Sequence, residues 1–214
     1  MKLETRTAPV LFPARVARGL IGSLLGAISG GALYRKASFL VDALDTQVFA
    51  SLVTIDERPH LPRALASAPF DEEGVATADR CLVEAGVLRG YLLGSYYARK
   101  LGMASTGNAG GAHNLVVQST GESFAELLAK MDRGLVIADL MGSGINPVTG
   151  DYSRGASGFW VENGRIQYPV TEITVAGNLK DMYRGILGIG TDVDRRGAVL
   201  TGSILIDRMT IAGS

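Results

Sequence analysis

The side chains best equipped for chemistry are few and scattered. His60, His113 and Cys81 are the chain's only imidazoles and its only thiol. Neither histidine is followed by a second ligand three or four residues later, so no helix here presents a paired-imidazole face. A structural zinc takes about four ligands and a catalytic zinc about three plus water. The sequence therefore offers no recognisable metal site. Asp151, Tyr152 and Arg154 lie together in "GDYSRGASGFW". An acid, a phenol and a guanidinium this close can pair with one another or with a substrate, or can hold a polar loop at a sheet edge. No G-x-S-x-G elbow signals a hydrolytic serine. "GSGINPVTG" and "GILGIG" lack the Lys-Ser/Thr of a phosphate loop and read as turns.

The elements that must position these residues follow from composition and periodicity. The chain has 214 residues, 47% hydrophobic and 20% charged, which suits a globular domain with a real core. Lys+Arg (21) equals Asp+Glu (21). No basic excess points to nucleic acid and no acidic excess to a solvating tail. One cysteine cannot close an internal disulfide, and a reducing cytoplasm fits. Cys81, in the strand-like run "DRCLVEAG", reads as a small buried hydrophobe.

"GLIGSLLGAISGGALY" follows Arg18 and imitates a signal segment. As a helix it is roughly 24 Å long, at ~1.5 Å per residue, short of a bilayer core of ~30 Å. It is read as a buried helix over 14–29, beginning after Pro13. Gly22, Gly26 and Gly30 recur every four residues on one face. Such a stripe admits a close backbone neighbour, and tight internal packing is preferred over a subunit interface.

"YRKASFLVDALDTQVF" reads as partly helical, "LVTIDERPHLP" as a short strand entering a loop, and "RCLVEAGVLRGYLL" as a hairpin turning at Ala85–Gly86. "SYYARKLG" is a short helix stopped by Gly102. "SFAELLAKMDRG" is an amphipathic helix capped by Ser123 and ended by Gly134. "LVIADLMGSG" is a buried strand. Asn163–Gly164 marks a type I′ hairpin with Phe159 and Trp160 on opposite faces of its first strand, fed by a loop over 150–158. "NLKDMYRGIL" is a helix capped by Asn178, and the last segment is a pair of strands around Gly202. The expected fold is α+β: a mostly antiparallel, barrel-like β core with several short helices, in one domain over residues 1–214.

Four stretches, "ISGGALYRKASFLVD", "YYARKLGMASTGNAGG", "GDYSRGASGFWVENGRIQYPVTEITVAGNLKDM" and "MTIAG", resemble the TldD/PmbA (TldE) family, its PmbA/TldE branch most of all. The resemblance runs from about Thr7 to Ser214. It covers the C-terminal half of the family's usual length and implies that the N-terminal α/β domain is absent from this chain. It further implies a cytoplasmic bacterial metallopeptidase of two related subunits, acting on unfolded peptides such as antibiotic precursors or antitoxins. In that picture zinc belongs to the TldD-type subunit, on a His-Glu-x-x-x-His helix completed by a later cysteine.

By the same resemblance the two histidines, the glutamate and the cysteine fall on Gly22, Ala27, Ser23 and Thr201. Glycine and alanine cannot donate an imidazole, serine cannot act as the carboxylate base, and the neutral threonine hydroxyl is a poor zinc ligand. The chain is thus expected to hold no cofactor and to lack catalytic residues. It would pair with a TldD-type subunit or with itself, and contact neither nucleic acid nor membrane. Peptide contacts would come from the 105–114 and 150–158 loops, through Asn108, His113, Asp151, Tyr152 and Arg154. An alternative is a peptide-binding regulatory module of the DNA gyrase modulator type, without protease activity.

Overall fold

A computed structural model describes residues 4–213. The chain opens with strand β1 (Arg6–Phe12) and helix α1 (Ala14–Ala27), then the short helix α2 (Gly30–Tyr34). Strands β2 (Ile55–Glu57), β3 (Arg80–Glu84) and β4 (Val87–Leu88) lead to α3 (Ser95–Lys100) and β5 (Leu115–Val117). Next come α4 (Phe124–Met131), β6 (Gly134–Met141), β7 (Asp151–Glu162), β8 (Arg165–Asn178) and α5 (Leu179–Arg184). Strands β9 (Ile186–Ile189), β10 (Val199–Leu200) and β11 (Ile204–Gly213) complete it.

Strands β1, β6, β7, β8 and β11 follow one another side by side, and β11 pairs back onto β1. This closure makes a five-stranded barrel, with β9 added along the N-terminal part of β11. A second sheet runs β10-β5-β2-β3-β4. Among the described strand pairs, β1–β6 and β10–β5 are parallel and the others antiparallel, in line with the expected α+β fold. Closing the sheet removes the unpaired edges that an open sheet of this length would expose.

Side-chain alternation sorts the barrel wall into two faces. Val10, Phe12, Leu135 and Ile137 join the main core, while Leu11, Val136 and Leu205 point the other way, against Leu127 and Met131 of α4. A full capping box fixes α4: Ser123 Oγ accepts from the Glu126 amide, and the Glu126 carboxylate accepts from the Ser123 amide. Asp132 ends this helix in the left-handed region at φ 57°, so Gly134 is not its stop but the first residue of β6.

Both hairpin turns form as expected. Ala85 and Gly86 have φ of 46° and 81°, and Asn163 and Gly164 have 51° and 67°. Trp160 is buried and Phe159 exposed. The guanidinium groups of Arg6 and Arg133 sit 5.1 and 5.7 Å from the Trp160 ring centre, contacts of roughly 0.5–1 kcal/mol at such exposed arginines.

Other expectations give way. Past α2, the segment read as partly helical is a series of turns, because Lys36, Asp42 and Asp45 all take positive φ. Residues 150–158 are not a loop: β7 pairs with β8 from Asp151 onward. The strands near Gly202 are not a hairpin, since β10 pairs with β5 in the second sheet and β11 closes the barrel.

Helix α1 buries Ala14, Ala17, Leu20, Ile21, Leu24 and Ala27 along one stripe. The hydroxyl of buried Tyr183 donates to the Leu20 carbonyl at 2.8 Å, pinning α5 to this stripe. The glycine stripe is not packed inside. A Cβ on Gly19, Gly22 or Gly26 would meet nothing within 4 Å. Only Gly30 serves close packing, where an added Cβ would come within 2.7 Å of Tyr97 Cβ. Among the described residues no helix is long and apolar enough to cross a membrane.

Candidate functional site

Two polar centres flank the bare face of α1. The first is built on Glu57, whose side chain is 1% exposed at the end of β2. Its cross-strand partner in β3 is Arg80, and the register alone puts the two charges opposite each other. Arg80 Nε donates to Glu57 Oε2 at 2.7 Å, Nη1 to the Tyr91 carbonyl at 2.9 Å and Nη2 to Asn108 Oδ1 at 2.7 Å. Asn108 Nδ2 returns a bond to Glu57 Oε1 at 2.7 Å. The His113 amide reaches the same oxygen at 2.8 Å and its ring Nδ1 lies 3.0 Å away.

Burial pushes the Glu57 carboxyl up. The charge of Arg80 and the bonds from His113, Arg80 and Asn108 outweigh that and hold it below its usual value. The 105–114 loop is thereby fixed at two points onto β2. A cleft of about 760 Å³ opens in front of it, lined by Gly26, Gly30, Glu72, Tyr97, Asn108 and Gly110 among others.

The second centre lies at the other end of α1. Arg15, Arg18, Gly19, Asp139, Arg154 and Gly197 line a cavity of about 550 Å³. Arg15 Nη2 donates to the Ala138 carbonyl at 3.0 Å. Arg18 lies 4.0 Å from Asp194, whose hydrogen bonds from Arg196 pull its carboxyl down to about 2. Arg154 approaches the Tyr152 hydroxyl, while its buried Nε has no hydrogen-bond partner.

The nine residues singled out in the sequence sort clearly. Asn108 and His113 are brought together, through Glu57. Asp151, Tyr152 and Arg154 are not brought together as a triad, because they sit on a strand. Asp151 is exposed and bonded to Thr149 and Asn178, Tyr152 points into the core, and Arg154 shares the Tyr152 face.

The zinc-position residues supply no metal site. Gly22 and Ala27 have no donor atom, Ser23 Oγ is bonded to the Gly19 carbonyl, and Thr201 Oγ1 is buried against the Gly202 carbonyl. That donor set does not fit zinc, which takes imidazole, thiolate or carboxylate. Among the described residues no three His, Cys, Asp or Glu side chains gather around a common point. Cys81 is half-buried and directs its thiol to the Val83 carbonyl at 3.2 Å; burial raises its pKa, which disfavours the thiolate. His60 is committed elsewhere, 2.9 Å from Thr77 Oγ1.

Residues 5–213 match the family described as PmbA/TldA metallopeptidase C-terminal domain. The chain belongs to this family. It is 55% identical over 212 residues to "Metalloprotease PmbA" of Escherichia coli O157:H7, covering 99% of this chain and 47% of that protein. A Bacteroides thetaiotaomicron protein described as a candidate modulator of DNA gyrase superposes with a TM-score of 0.95 at 28% identity, over 100% of this chain and 48% of the other. TldE from Thermococcus kodakarensis gives 0.87 at 25%, over 100% and 52%. The chain thus spans about half the length of the PmbA relatives it matches.

Sequence reasoning missed Glu57, Arg80, Arg15 and Arg18. Glu57 is separated from Arg80, Asn108 and His113 by 23, 51 and 56 residues, so no local pattern could reveal the node. The two arginines of α1 are visible only as the charged lead of an apolar run.

Proposed function

We propose that this chain is a noncatalytic part of a TldD/TldE-type metallopeptidase, holding an unfolded peptide near a zinc that a TldD-type partner supplies. One observation carries the reading. The helix that the resemblance equates with the zinc helix keeps its buried stripe but shows a donor-free glycine face to solvent, between two clefts. Bare glycines let another backbone approach closely, and an extended peptide offers one. The names of the relatives support the protease setting. The cytoplasm is the proposed compartment. The gyrase-modulator description of a structural relative keeps the regulatory alternative in play. The even charge balance argues against any version of it that needs direct DNA contact.

Peptide cleavage by this chain, by a TldD-type subunit and by their mixture decides the matter. Activity confined to the mixture and abolished by a chelator is the expected result. Cleavage by this chain alone, or stoichiometric zinc in the purified chain, overturns it. Peptide binding without cleavage in any combination favours the regulatory alternative.

A further inference from the structure

The two clefts lie at opposite ends of the same helical face and carry opposite charge. At the N-terminal end of α1, Arg15, Arg18 and Arg154 meet one lining carboxylate, Asp139. Arg18 is balanced by Asp194. Among the described residues Arg15 and Arg154 have no carboxylate within 4.0 Å, and the buried Arg154 Nε is left without an acceptor. Arg18 rests over Gly197, where a Cβ would come within 2.9 Å of its Nη1.

At the C-terminal end, Glu72 and Glu73 face the cleft together with Arg35 and the exposed Tyr96 ring, over which Lys100 Nζ lies at 5.8 Å, so the lining carboxylates outnumber the lining guanidinium two to one. Between the two, Gly19, Gly22 and Gly26 form an uncovered strip. From Arg15 to Ala27, its last residue, the helix rises roughly 18 Å at ~1.5 Å per residue. At ~3.3 Å per residue, an extended peptide of about six residues spans it.

We infer that an extended peptide lies along α1 in a single direction, its terminal carboxylate held by Arg15 and Arg154 and its amino end against Glu72, Glu73 and Tyr96. This rests on the peptide-holding reading above and adds polarity and length to it. A carboxylate accepts charge-assisted bonds from guanidinium, and an ammonium is favoured by carboxylates and by an aromatic face. The reversed peptide would set its ammonium among three arginines and one aspartate and its carboxylate among two glutamates and one arginine, so the net charge of the two clefts favours one direction.

Fluorescence anisotropy of a hexapeptide labelled mid-chain tests this, using free, C-amidated and N-acetylated forms. Amidation is expected to weaken binding tenfold or more, and acetylation severalfold. Inorganic phosphate should compete with the free acid. Arg154→Gln and Arg15→Gln should each reduce the amidation penalty toward unity; Arg15 is exposed in the first turn of α1, so its variant remains informative if Arg154→Gln folds poorly.

Equal binding of acid and amide, or an amidation penalty intact in both variants, overturns the assigned direction and leaves peptide holding standing. An amidated peptide with a penultimate glutamate that binds as well as the free acid overturns the terminal assignment in favour of a side-chain carboxylate. No binding of any form overturns peptide holding itself, and the direction with it.

Discussion

The Glu57 node and the arginine cavity beside α1 both gather guanidinium groups, and they treat them in opposite ways. Arg80 has a carboxylate, an amide oxygen and a main-chain carbonyl as acceptors, all within 2.9 Å. Arg154 has a buried nitrogen with none. The first arrangement is closed and leaves nothing for a ligand to satisfy; in the second, Arg15 and Arg154 line an open cavity. A closed polar network holds one conformation of a loop, whereas an open one is available for recognition. Two residues that looked like peptide contacts, Asn108 and His113, therefore act first as supports of the cleft wall.

Breaking the closed node should give the largest effect. Glu57→Ala leaves the half-buried Arg80 without its carboxylate and should cost about 3–5 kcal/mol in urea unfolding. A loss below 1 kcal/mol would mean that the node is as open as the cavity. The pH dependence gives a second readout. The folded Glu57 pKa lies below its usual 4.5, so its contribution is present above that value and is lost as pH falls through the lowered one. The stability gap between the wild-type chain and Glu57→Gln should accordingly be widest above about pH 5 and narrow as the solution is acidified.

The glycines repeat the contrast. At Gly158 an added Cβ would run into the Val136 carbonyl of β6, so the barrel wall itself needs a glycine there. Gly158→Val should cost about 1–3 kcal/mol, the range for overpacking, and lower the thermal midpoint. Gly22 faces open space in a helix interior. Gly22→Ala should raise stability by about 1 kcal/mol through helix propensity and the reduced freedom of the unfolded chain. Destabilisation at Gly22 would show that its face is covered after all.

The same distinction separates what the sequence revealed from what it hid. Features set by neighbours in the chain were legible. The Asn163–Gly164 and Ala85–Gly86 turns, the Ser123 cap and the buried stripe of α1 each depend on residues within a few positions. The site was legible only in part. The glycine-rich stretch around Asn108 announced a loop, but its anchor is a glutamate 51 residues away. Asp151, Tyr152 and Arg154 looked like a cluster because they are adjacent, and a strand separates adjacent residues onto two faces. The glycine stripe of α1 was visible as a spacing, but a spacing does not say whether the facing side is protein or solvent.

Arg154→Met should have the smallest effect on stability and is the sharpest test of the contrast. The substitution removes a guanidinium whose Nε already lacks an acceptor, so the deleted group takes an unmet desolvation cost with it. It also loses the approach to the Tyr152 hydroxyl and keeps most of the aliphatic packing along the β7 face. These terms oppose each other, and the net change should stay within about 1 kcal/mol of zero. Arg80→Met, the matched change in the closed node, strands the Glu57 carboxylate beneath the surface and should cost about 3–5 kcal/mol. Parallel urea titrations of the two variants read the difference directly. If Arg154→Met proves as damaging as Arg80→Met, the cavity beside α1 is a structural clamp and its arginines are held by the fold instead of being kept for a ligand.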